Sequence, residues 1–250
     1  MRATFLALAA LFLLPGLLSA ARAPAVASGE NFAAAKPGQL KVLLAGGGSS
    51  HDFEKWFHQD DSATLKAAGC APAYSALVTE VITLLPQADV LVLSTNQPDF
   101  GKTEFQEALR SFLAAGKGVV ILHPGAWYNW PPATGYNAKI AGGGARSHDA
   151  LGPFTVTVKN AAHPIMKGVP ATFEVTDELY QVTLEPEAKA EVLAETSTSG
   201  KTGKQHASVW LVPQEKGRVV GVALGHDGKV HDLPAFKTLL VNAVQWAAGK

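Results

Sequence analysis

Short apolar segments alternate with amphipathic segments along the first half of the chain, and this alternation constrains the fold more than any other feature. Residues 53–68 and 102–115 carry apolar side chains at helical spacing, and each segment ends before a glycine. Three other runs are apolar apart from Lys41 and Ser94, which is typical of parallel strands buried on both faces. The pattern predicts an α/β fold of three layers, with a mostly parallel sheet flanked by helices. The three apolar runs span residues 40–45, 90–94 and 118–122.

The second half of the chain predicts additional strands, which we expect to be antiparallel. Its first two apolar segments alternate with polar residues in period two, which indicates strands exposed on one face. The dipeptide at 216–217 predicts a hairpin turn, and the polar loop 196–204 is expected to be mobile. Residues 232–248 predict a closing helix with Asp232 as its N-cap and Pro234 in its first turn. The predicted strands span residues 154–158, 173–175, 191–194, 207–211 and 218–224.

The N-terminal residues have the layout of a secretory signal peptide. Arg2 precedes an almost unbroken apolar run over residues 3–18, and small residues suited to cleavage follow. The run is shorter than the roughly 20 apolar residues of a membrane span, so an uncleaved anchor is the less favoured alternative. We expect a signal peptide over residues 1–27, a linker over 28–39 and one domain over 40–250. The protein is therefore expected to be periplasmic or secreted.

The charge balance restricts the classes of partner. The 250-residue chain has 21 basic and 21 acidic side chains, whereas nucleic-acid-binding proteins usually carry a basic surplus. The single cysteine, Cys70, cannot form an internal disulfide. We expect a small-molecule partner, no nucleic acid, and no membrane contact after signal cleavage. A homo-oligomer stays open as an alternative.

Histidines follow three of the predicted strands near the point where each strand ends. His51 follows the first strand after a glycine-rich turn, His123 directly follows the strand at 118–122, and His226 follows the last strand. In open α/β sheets, ligands bind outside the carboxyl ends of the strands. We therefore predict that these histidines share one functional cleft.

The glycine-rich turn at residues 46–50 does not match a nucleotide-binding motif. It has neither the G-x-G-x-x-G pattern with a well-placed acidic residue nor a Walker A sequence. It therefore predicts a tight turn from strand to helix, whose free backbone N–H groups are suited to bind an anion or a hydroxyl group. Gly48 and Asp52 are the candidates for substrate binding in this segment.

An aromatic loop and an acidic pair lie in the middle of the chain. Trp127 and Tyr128 belong to a loop rich in glycine and proline, where aromatic side chains serve as packing lids or as platforms for sugar rings. Asp177 and Glu178 point to opposite sides if the backbone is extended, so we expect only one of them to face the cleft. A solvated acidic turn is the alternative interpretation. Tyr180 follows the pair.

The same residues include ligand types that suit zinc or manganese. His51, His123 and His148 are the candidate ligands, with Glu178 as a base or a further ligand. No compact signature such as H-E-x-x-H is present, so this hypothesis rests on residue types alone. The carboxylates that directly follow His51 and His148 are the alternative partners, since they could orient the two rings for acid–base catalysis.

An ordered set of short motifs from about residue 40 to the C-terminus carries a family resemblance. With these motifs in order, the sequence resembles a ThuA-like domain, which is the trehalose-utilisation family within the class I glutamine-amidotransferase-like fold. The motifs are Gly47-Gly48 with residues 51–53, Leu122-His123 with Trp127 and Tyr136, Ile140 and residues 142–144 with His148, residues 163–165 with Gly168, residues 177–180, Val209-Trp210, residues 217–219, residues 224–227, and residues 246–248.

The resemblance implies a flavodoxin-like three-layer domain without amidotransferase activity. Glutamine amidotransferases carry a nucleophilic cysteine at a sharp turn after a central strand. This chain has His123 at about that turn, and Cys70 lies in a different segment. A mechanism through a thiolate acyl-enzyme is therefore excluded.

The resemblance also implies a role in carbohydrate catabolism, with two alternatives. The first is an exported enzyme that acts on (3-keto) glycosides or disaccharides by acid–base chemistry of the lyase, hydratase or isomerase type. The second is a non-catalytic carbohydrate-binding or accessory protein with the same cleft. The candidate catalytic residues are His51, His123, His148 and Glu178, and the candidate substrate-binding residues are Gly48, Asp52, Trp127, Tyr128, Tyr180 and His226.

Overall fold

The computed structural model describes residues 28–250 of the chain. The signal peptide predicted over residues 1–27 lies outside the described residues. Within the described residues, no helix is both long enough and apolar enough to cross a membrane.

The segment 28–39, which the sequence predicts as a linker, lies against the domain. Phe32 is buried among core side chains. The Glu30 carboxylate accepts a hydrogen bond from the Tyr74 backbone N–H at 2.8 Å and lies 2.9 Å from Nε2 of His58. These contacts fix the start of the described chain at the outer edge of the sheet.

The strands of the described residues form one large sheet and one short pair. The sequence predicts every strand of the large sheet except β2, whose sequence APAYS includes a proline and has no long apolar run. The large sheet contains β1 (Lys41–Ala45), β2 (Ala71–Ser75), β3 (Val90–Leu93), β4 (Gly118–Leu122), β6 (Gly152–Val158), β7 (Thr172–Asp177), β9 (Glu191–Thr196), β10 (Ala207–Val212) and β11 (Arg218–Val222), and the pair contains β5 (Gly143–Gly144) and β8 (Thr183–Leu184).

The helices flank this sheet. A π-helical segment, Phe53–Asp60, runs directly into α1, so the helix predicted over 53–68 begins as expected but with a wider first part. The α-helices of the described residues are α1 (Asp61–Ala67), α2 (Val78–Leu84), α3 (Thr103–Ala114), α4 (Gly228–His231) and α5 (Pro234–Ala247).

The closing helix differs from its prediction at the N-terminus. Its first turn does contain Pro234, but its N-cap is Leu233, without a side-chain cap. Asp232 instead follows the short helix α4 at its C-terminal end. The N-cap prediction was wrong because α4 occupies the turn before the closing helix.

The strand order in the large sheet is β2-β1-β3-β4-β11-β10-β9-β6-β7. The first five strands pair in parallel, and the last four are joined by antiparallel pairs. This arrangement confirms the α/β fold with a mostly parallel sheet and added antiparallel strands. The chain runs outward from β1 to β2 and then returns to β3 on the other side, so the topological switch point lies between β1 and β3.

The three layers follow from the alternation of side chains along the buried strands. Leu43 and Ala45 join the core on one side of the sheet, together with apolar residues of α2 and α3. Val42 and Leu44 point to the opposite side, where α1 and α5 supply the covering residues. Because both faces of β1 are covered, its sequence is apolar at consecutive positions.

The loop 196–204, predicted to be mobile, is anchored by hydrogen bonds. Ser199 is buried, and its hydroxyl donates to Oδ1 of Asp149 at 2.8 Å. The backbone N–H of Gly200 donates to Oδ2 of the same carboxylate at 2.7 Å. The polar composition of this loop therefore serves local hydrogen bonding.

Substitution of Gly221 by alanine should destabilise the sheet. A Cβ at this position of β11 would lie 2.2 Å from the ring of Trp210, which is fully buried and donates its Nε1–H to the carbonyl of Ala141 at 2.8 Å. We expect Gly221→Ala to lower the free energy of unfolding by about 1–3 kcal/mol, measured by urea denaturation. Gly152→Ala in β6 is the matched control, because its nearest atom is 3.6 Å away. Equal stability of the two variants would contradict this packing.

Candidate functional site

The carboxyl ends of the parallel strands open into a cavity of about 250 Å³. The cavity lies at the switch point, where open α/β sheets bind their ligands. Its size is below the range of about 300–1,000 Å³ that is usual for ligand pockets, so it suits one small ring better than a large ligand. Its lining comprises Ser50, His51, Asn96, Pro124, Trp127, Asn129, His148, Glu178, Tyr180 and His226.

Three imidazoles and one carboxylate converge beside this cavity. His51, His226 and Glu178 belong to its lining, whereas His123 is buried behind it. One potential ligand atom from each of His51, His123, His226 and Glu178 lies within 4.8 Å of all the others. Oε2 of Glu178 is 3.6 Å from Nε2 of His123 and 3.3 Å from Nδ1 of His226. The structure therefore brings together the three histidines that follow β1, β4 and β11, as the strand ends led us to expect.

His123 is held in a strained backbone conformation. It directly follows β4 and has a φ of +21°, which is unusual for a residue other than glycine. Such conformations cost about 1–3 kcal/mol and persist mainly at functional sites, where the surrounding structure enforces them. The side chain of His123 is completely buried.

The orientation of the His123 ring is fixed on two sides. Its Nδ1 lies 2.6 Å from the carbonyl oxygen of Ala223, and since a carbonyl can only accept, Nδ1 carries the proton. Tyr180 stacks on the ring with centroids 4.0 Å apart. The second nitrogen, Nε2, is thereby directed toward Glu178.

The acidic pair divides into a structural and a cavity-facing residue. Asp177 is completely buried, and its carboxylate accepts hydrogen bonds from the backbone N–H groups of Gly225 at 2.8 Å and His226 at 3.1 Å. Glu178 lines the cavity. Asp177 thus ties the end of β7 to the segment after β11, and this contact positions Glu178 among the histidines.

The electrostatics of the cluster separate the protonation states of its members. Burial, together with the neighbouring His123 and His226, lowers the pKa of His51 to about 3. Burial alone would raise the pKa of the Glu178 carboxyl, but the adjacent His123 and His226 hold it well below its usual range. The contact with Glu178 raises the pKa of His226. His51 is therefore neutral and Glu178 ionised at neutral pH.

His148 lies at the cavity but outside the cluster of four. Its Nδ1 is 2.7 Å from the backbone carbonyl of Asp149, so this nitrogen donates, and it lies 3.5 Å from Oε1 of Glu178. Its backbone pairs with that of Tyr180 in an isolated β-bridge. Of the three ligands predicted for a metal, His51 and His123 belong to the group with ligand spacing, and His226 takes the place that the sequence assigned to His148.

The two carboxylates adjacent to histidines do not orient those rings. Asp52 is the N-cap of the π-helical segment and accepts from the backbone N–H of Lys55 at 3.0 Å. The side chain of Asp149 binds the loop 196–204, as described above. His51 instead contacts Oγ of Ser50 through Nδ1 at 2.6 Å. The alternative in which these carboxylates orient the imidazoles was wrong, because both are engaged by nearby backbone groups.

The predicted substrate-binding residues divide into two groups. Trp127, Tyr180 and His226 line the cavity. Tyr128 is not among the lining residues; its hydroxyl donates to Oε1 of Glu185 at 2.8 Å. Gly48 is also absent from the lining, and its backbone lies so close to the Asn96 side chain that no Cβ would fit. The glycine run therefore forms the tight turn and leaves the cavity to its neighbours.

Ser50, Asn96 and Asn129 line the cavity although the sequence analysis did not select them. Asn96 follows β3 at the same edge of the sheet as the histidines. Its position after the carboxyl end of a strand is the sequence signal that indicates it. Asn129 donates from Nδ2 to the carbonyl of Pro124 at 2.6 Å, a contact that no local sequence pattern indicates.

Comparisons with known proteins agree with this fold. Residues 54–247 match the sequence family ThuA, described as trehalose utilisation. A ThuA-like protein from Parabacteroides merdae superposes with a TM-score of 0.72 at 19% identity, covering 85% of this chain and 91% of that one. A ThuA-like protein from Bacteroides uniformis gives 0.68 at 21% identity, covering 83% and 91%.

The fold is also similar to that of a glutamine amidotransferase domain. The glutaminase domain of CTPS from Trypanosoma brucei superposes with a TM-score of 0.51 at 11% identity, covering 83% of this chain and 94% of that domain. Among curated proteins, none matches this sequence. The class I glutamine-amidotransferase-like fold predicted from the sequence is therefore confirmed.

Removal of the Asp177 carboxylate should destabilise the protein and displace His226. Asp177→Ala leaves the buried N–H groups of Gly225 and His226 without their acceptor, so we expect a loss of about 2–4 kcal/mol in the free energy of unfolding. Denaturant titration measures this loss. Asp99→Ala is the control, since the Asp99 side chain forms an exposed ion pair with Lys102, and exposed pairs contribute little to stability. Similar losses in both variants would contradict the role of Asp177.

Proposed function

We propose that this chain, which belongs to the ThuA family, is an enzyme of carbohydrate catabolism that acts on 3-keto glycosides or disaccharides by acid–base chemistry. The observation that carries the proposal is the position of Glu178. Its ionised carboxylate lines the cavity and lies 3.3–3.6 Å from nitrogens of His123, His148 and His226. A base surrounded by imidazoles is a suitable arrangement for proton transfer.

The chemistry of a keto-sugar matches this arrangement. A carbonyl at C3 acidifies the C–H bond at the neighbouring carbon, so a positioned base can remove that proton and leave an enolate. Loss of the group on the next carbon, protonated by an acid, completes an elimination. Addition of water to the resulting double bond gives hydration, and return of the proton to another carbon gives isomerisation.

Two residues are placed for the proton transfers. Glu178 is the proposed base because its carboxylate is ionised, so that it can accept a proton, and because it borders the cavity. His148 is the proposed acid. Its Nδ1 donates to a backbone carbonyl, which leaves Nε2 as the nitrogen available to a substrate. The side chain of His148 is about one-third exposed, so it can exchange its proton with solvent.

Aromatic side chains support the assignment to a sugar. Trp127 and Tyr180 both line the cavity, and their ring centroids lie 5.2 Å apart in an edge-to-face arrangement. Aromatic rings offer an apolar face to the C–H groups of a sugar ring. The nearby Asn96 and Asn129 provide amide groups that can bind hydroxyl groups.

The substitution His148→Gln should lower turnover of 3-keto glycosides while preserving their binding. General acid–base groups contribute roughly 10²–10⁴-fold, so we expect kcat to fall by about that factor with little change in KM. Steady-state assays with 3-keto derivatives of trehalose and simple glucosides measure both constants. The control is His206→Gln, whose ring contacts Thr202 and Val182 outside the cavity. Binding of these sugars without any turnover by the wild-type protein would favour the carbohydrate-binding alternative and refute the enzyme.

We also propose that the protein is exported, on the basis of the signal layout in residues 1–27. Expression of the full chain in a Gram-negative host should give a periplasmic protein whose N-terminus lies between residues 20 and 29. N-terminal sequencing and intact-mass measurement establish the cleavage point. A variant lacking residues 3–18 is the control and should stay in the cytoplasm. Full-length protein in the membrane fraction would contradict cleavage.

A further inference from the structure

We propose that His51, His123, His226 and Glu178 bind one divalent transition-metal ion, with zinc as the preferred ion and manganese as the alternative. The inference deepens the proposed function, because the ion would act in the same cavity, but it rests on geometry that is independent of any substrate. Four independent chain segments supply the four side chains.

The first argument is that three buried nitrogens lack partners. Nε2 of His51, Nε2 of His123 and Nδ1 of His226 are buried and form no hydrogen bond with any residue of the described range 28–250. Buried polar atoms are normally satisfied, and leaving them without partners is costly. All three unpartnered nitrogens belong to the cluster, so a single cation can satisfy them together.

The second argument concerns the lone pairs. Because Nδ1 of His123 donates to the carbonyl of Ala223, the neutral ring presents a lone pair at Nε2. That lone pair is aimed at Oε2 of Glu178, 3.6 Å away, which is also an acceptor. Two acceptors that face each other repel unless a cation lies between them. A proton on one ring would satisfy only one nitrogen, and three buried imidazolium ions beside one carboxylate would carry a large uncompensated charge.

The third argument is the spacing of the ligand atoms. Zinc binds imidazole nitrogen at about 2.0–2.1 Å in tetrahedral geometry, so neighbouring ligand atoms lie about 3.3 Å apart. The distances of 3.3 Å and 3.6 Å from Glu178 to His226 and His123 fit this value. The widest separation in the group is 4.8 Å, so a small inward rotation of the side chains completes the site.

The fourth argument is that the surrounding contacts support metal-binding histidines. Histidines that bind metals usually donate their other ring nitrogen to a carbonyl or a similar acceptor. His123 has the carbonyl of Ala223 at 2.6 Å, and His51 has the hydroxyl of Ser50 at 2.6 Å. The donor set of three imidazoles and one carboxylate suits zinc better than calcium or magnesium, which prefer oxygen ligands.

The cavity gives the ion a role in the proposed chemistry. His51, His226 and Glu178 belong both to the cluster and to the cavity lining, so the ion would border the space where a sugar ring fits. An ion at this position can polarise the carbonyl of a keto-sugar and stabilise the negative charge of its enolate. Oε2 of Glu178 faces His123 and His226 and would hold the ion, while Oε1, on the side of His148, would serve as the base.

Metal binding by the purified protein tests the inference directly. The mature chain, stripped with a chelator and then dialysed against Zn²⁺ or Mn²⁺, should retain about one ion per chain by elemental analysis. Cobalt substitution should give the intense visible absorption of a tetrahedral site, and added Zn²⁺ should raise the melting temperature. Absence of stoichiometric binding for both metals would overturn the inference.

Variants separate this site from other histidines. Loss of a residue that only contacts a metal ligand lowers metal affinity about 10–100-fold. His226→Gln and Glu178→Gln remove a ligand itself, so we expect each to weaken zinc binding at least 100-fold. His148→Gln and His206→Gln should retain wild-type affinity, and circular dichroism confirms that each variant is folded. Equal zinc affinity in all four variants would overturn the assignment of the ligands.

The two proposals fail in different ways. Stoichiometric zinc bound by the cluster without turnover of any keto-glycoside would refute the proposed function and keep the metal site. Full turnover by the metal-free protein would refute a catalytic role of the ion, while the proposed enzymatic function would stand.

Discussion

The parallel pairing of β11 with β4 is the constraint on which the site depends. Val222 pairs with Leu122, so the segment that follows β11 leaves the sheet beside His123. The carbonyl of Ala223 is thereby placed to accept the Nδ1 proton of His123, and the chain continues to His226. A shift of this register would separate the two histidines and move the carbonyl of Ala223 away from Nδ1 of His123. The register of the central sheet and the geometry of the cluster are therefore inseparable.

A second constraint comes from the far edge of the sheet. β7 is the outermost strand on the antiparallel side, yet its last residue, Asp177, binds the backbone after β11. Burial raises the pKa of the Asp177 carboxyl, and its hydrogen bonds to backbone N–H groups oppose that effect. This buried contact positions the adjacent Glu178 at the cavity. The antiparallel half of the fold therefore contributes the carboxylate of the cluster, and the parallel half contributes the histidines.

The sequence predicts the fold and the shared position of the histidines because both depend on local pattern. The apolar strands predict the parallel core. Because ligands bind outside the carboxyl ends of such strands, His51, His123 and His226 are predicted to lie at one edge of the sheet. The sequence misses β2 and α2, because β2 contains Pro72 and neither element has a long periodic pattern. Tertiary contacts, rather than propensity, determine those elements.

The partners of the site residues were harder to predict than their positions. Adjacency in sequence suggested Asp149 as the partner of its neighbouring histidine, but that carboxylate stabilises a loop that is distant in sequence. The tautomer of His123 depends on a carbonyl 100 residues away. Hydrogen bonds of this kind follow from the packed structure, so a sequence can indicate which residues meet but not which atoms face each other.

The strained turn after β4 presents a histidine and not a cysteine. At this turn the chain places His123, with a φ of +21°. Its one cysteine, Cys70, is buried just before β2, at the opposite end of the parallel strands. The strained backbone position thus carries an imidazole, which offers a nitrogen lone pair at Nε2. A lone pair that is buried and held in one direction by a carbonyl is suited to bind a cation, in agreement with the metal site that we propose.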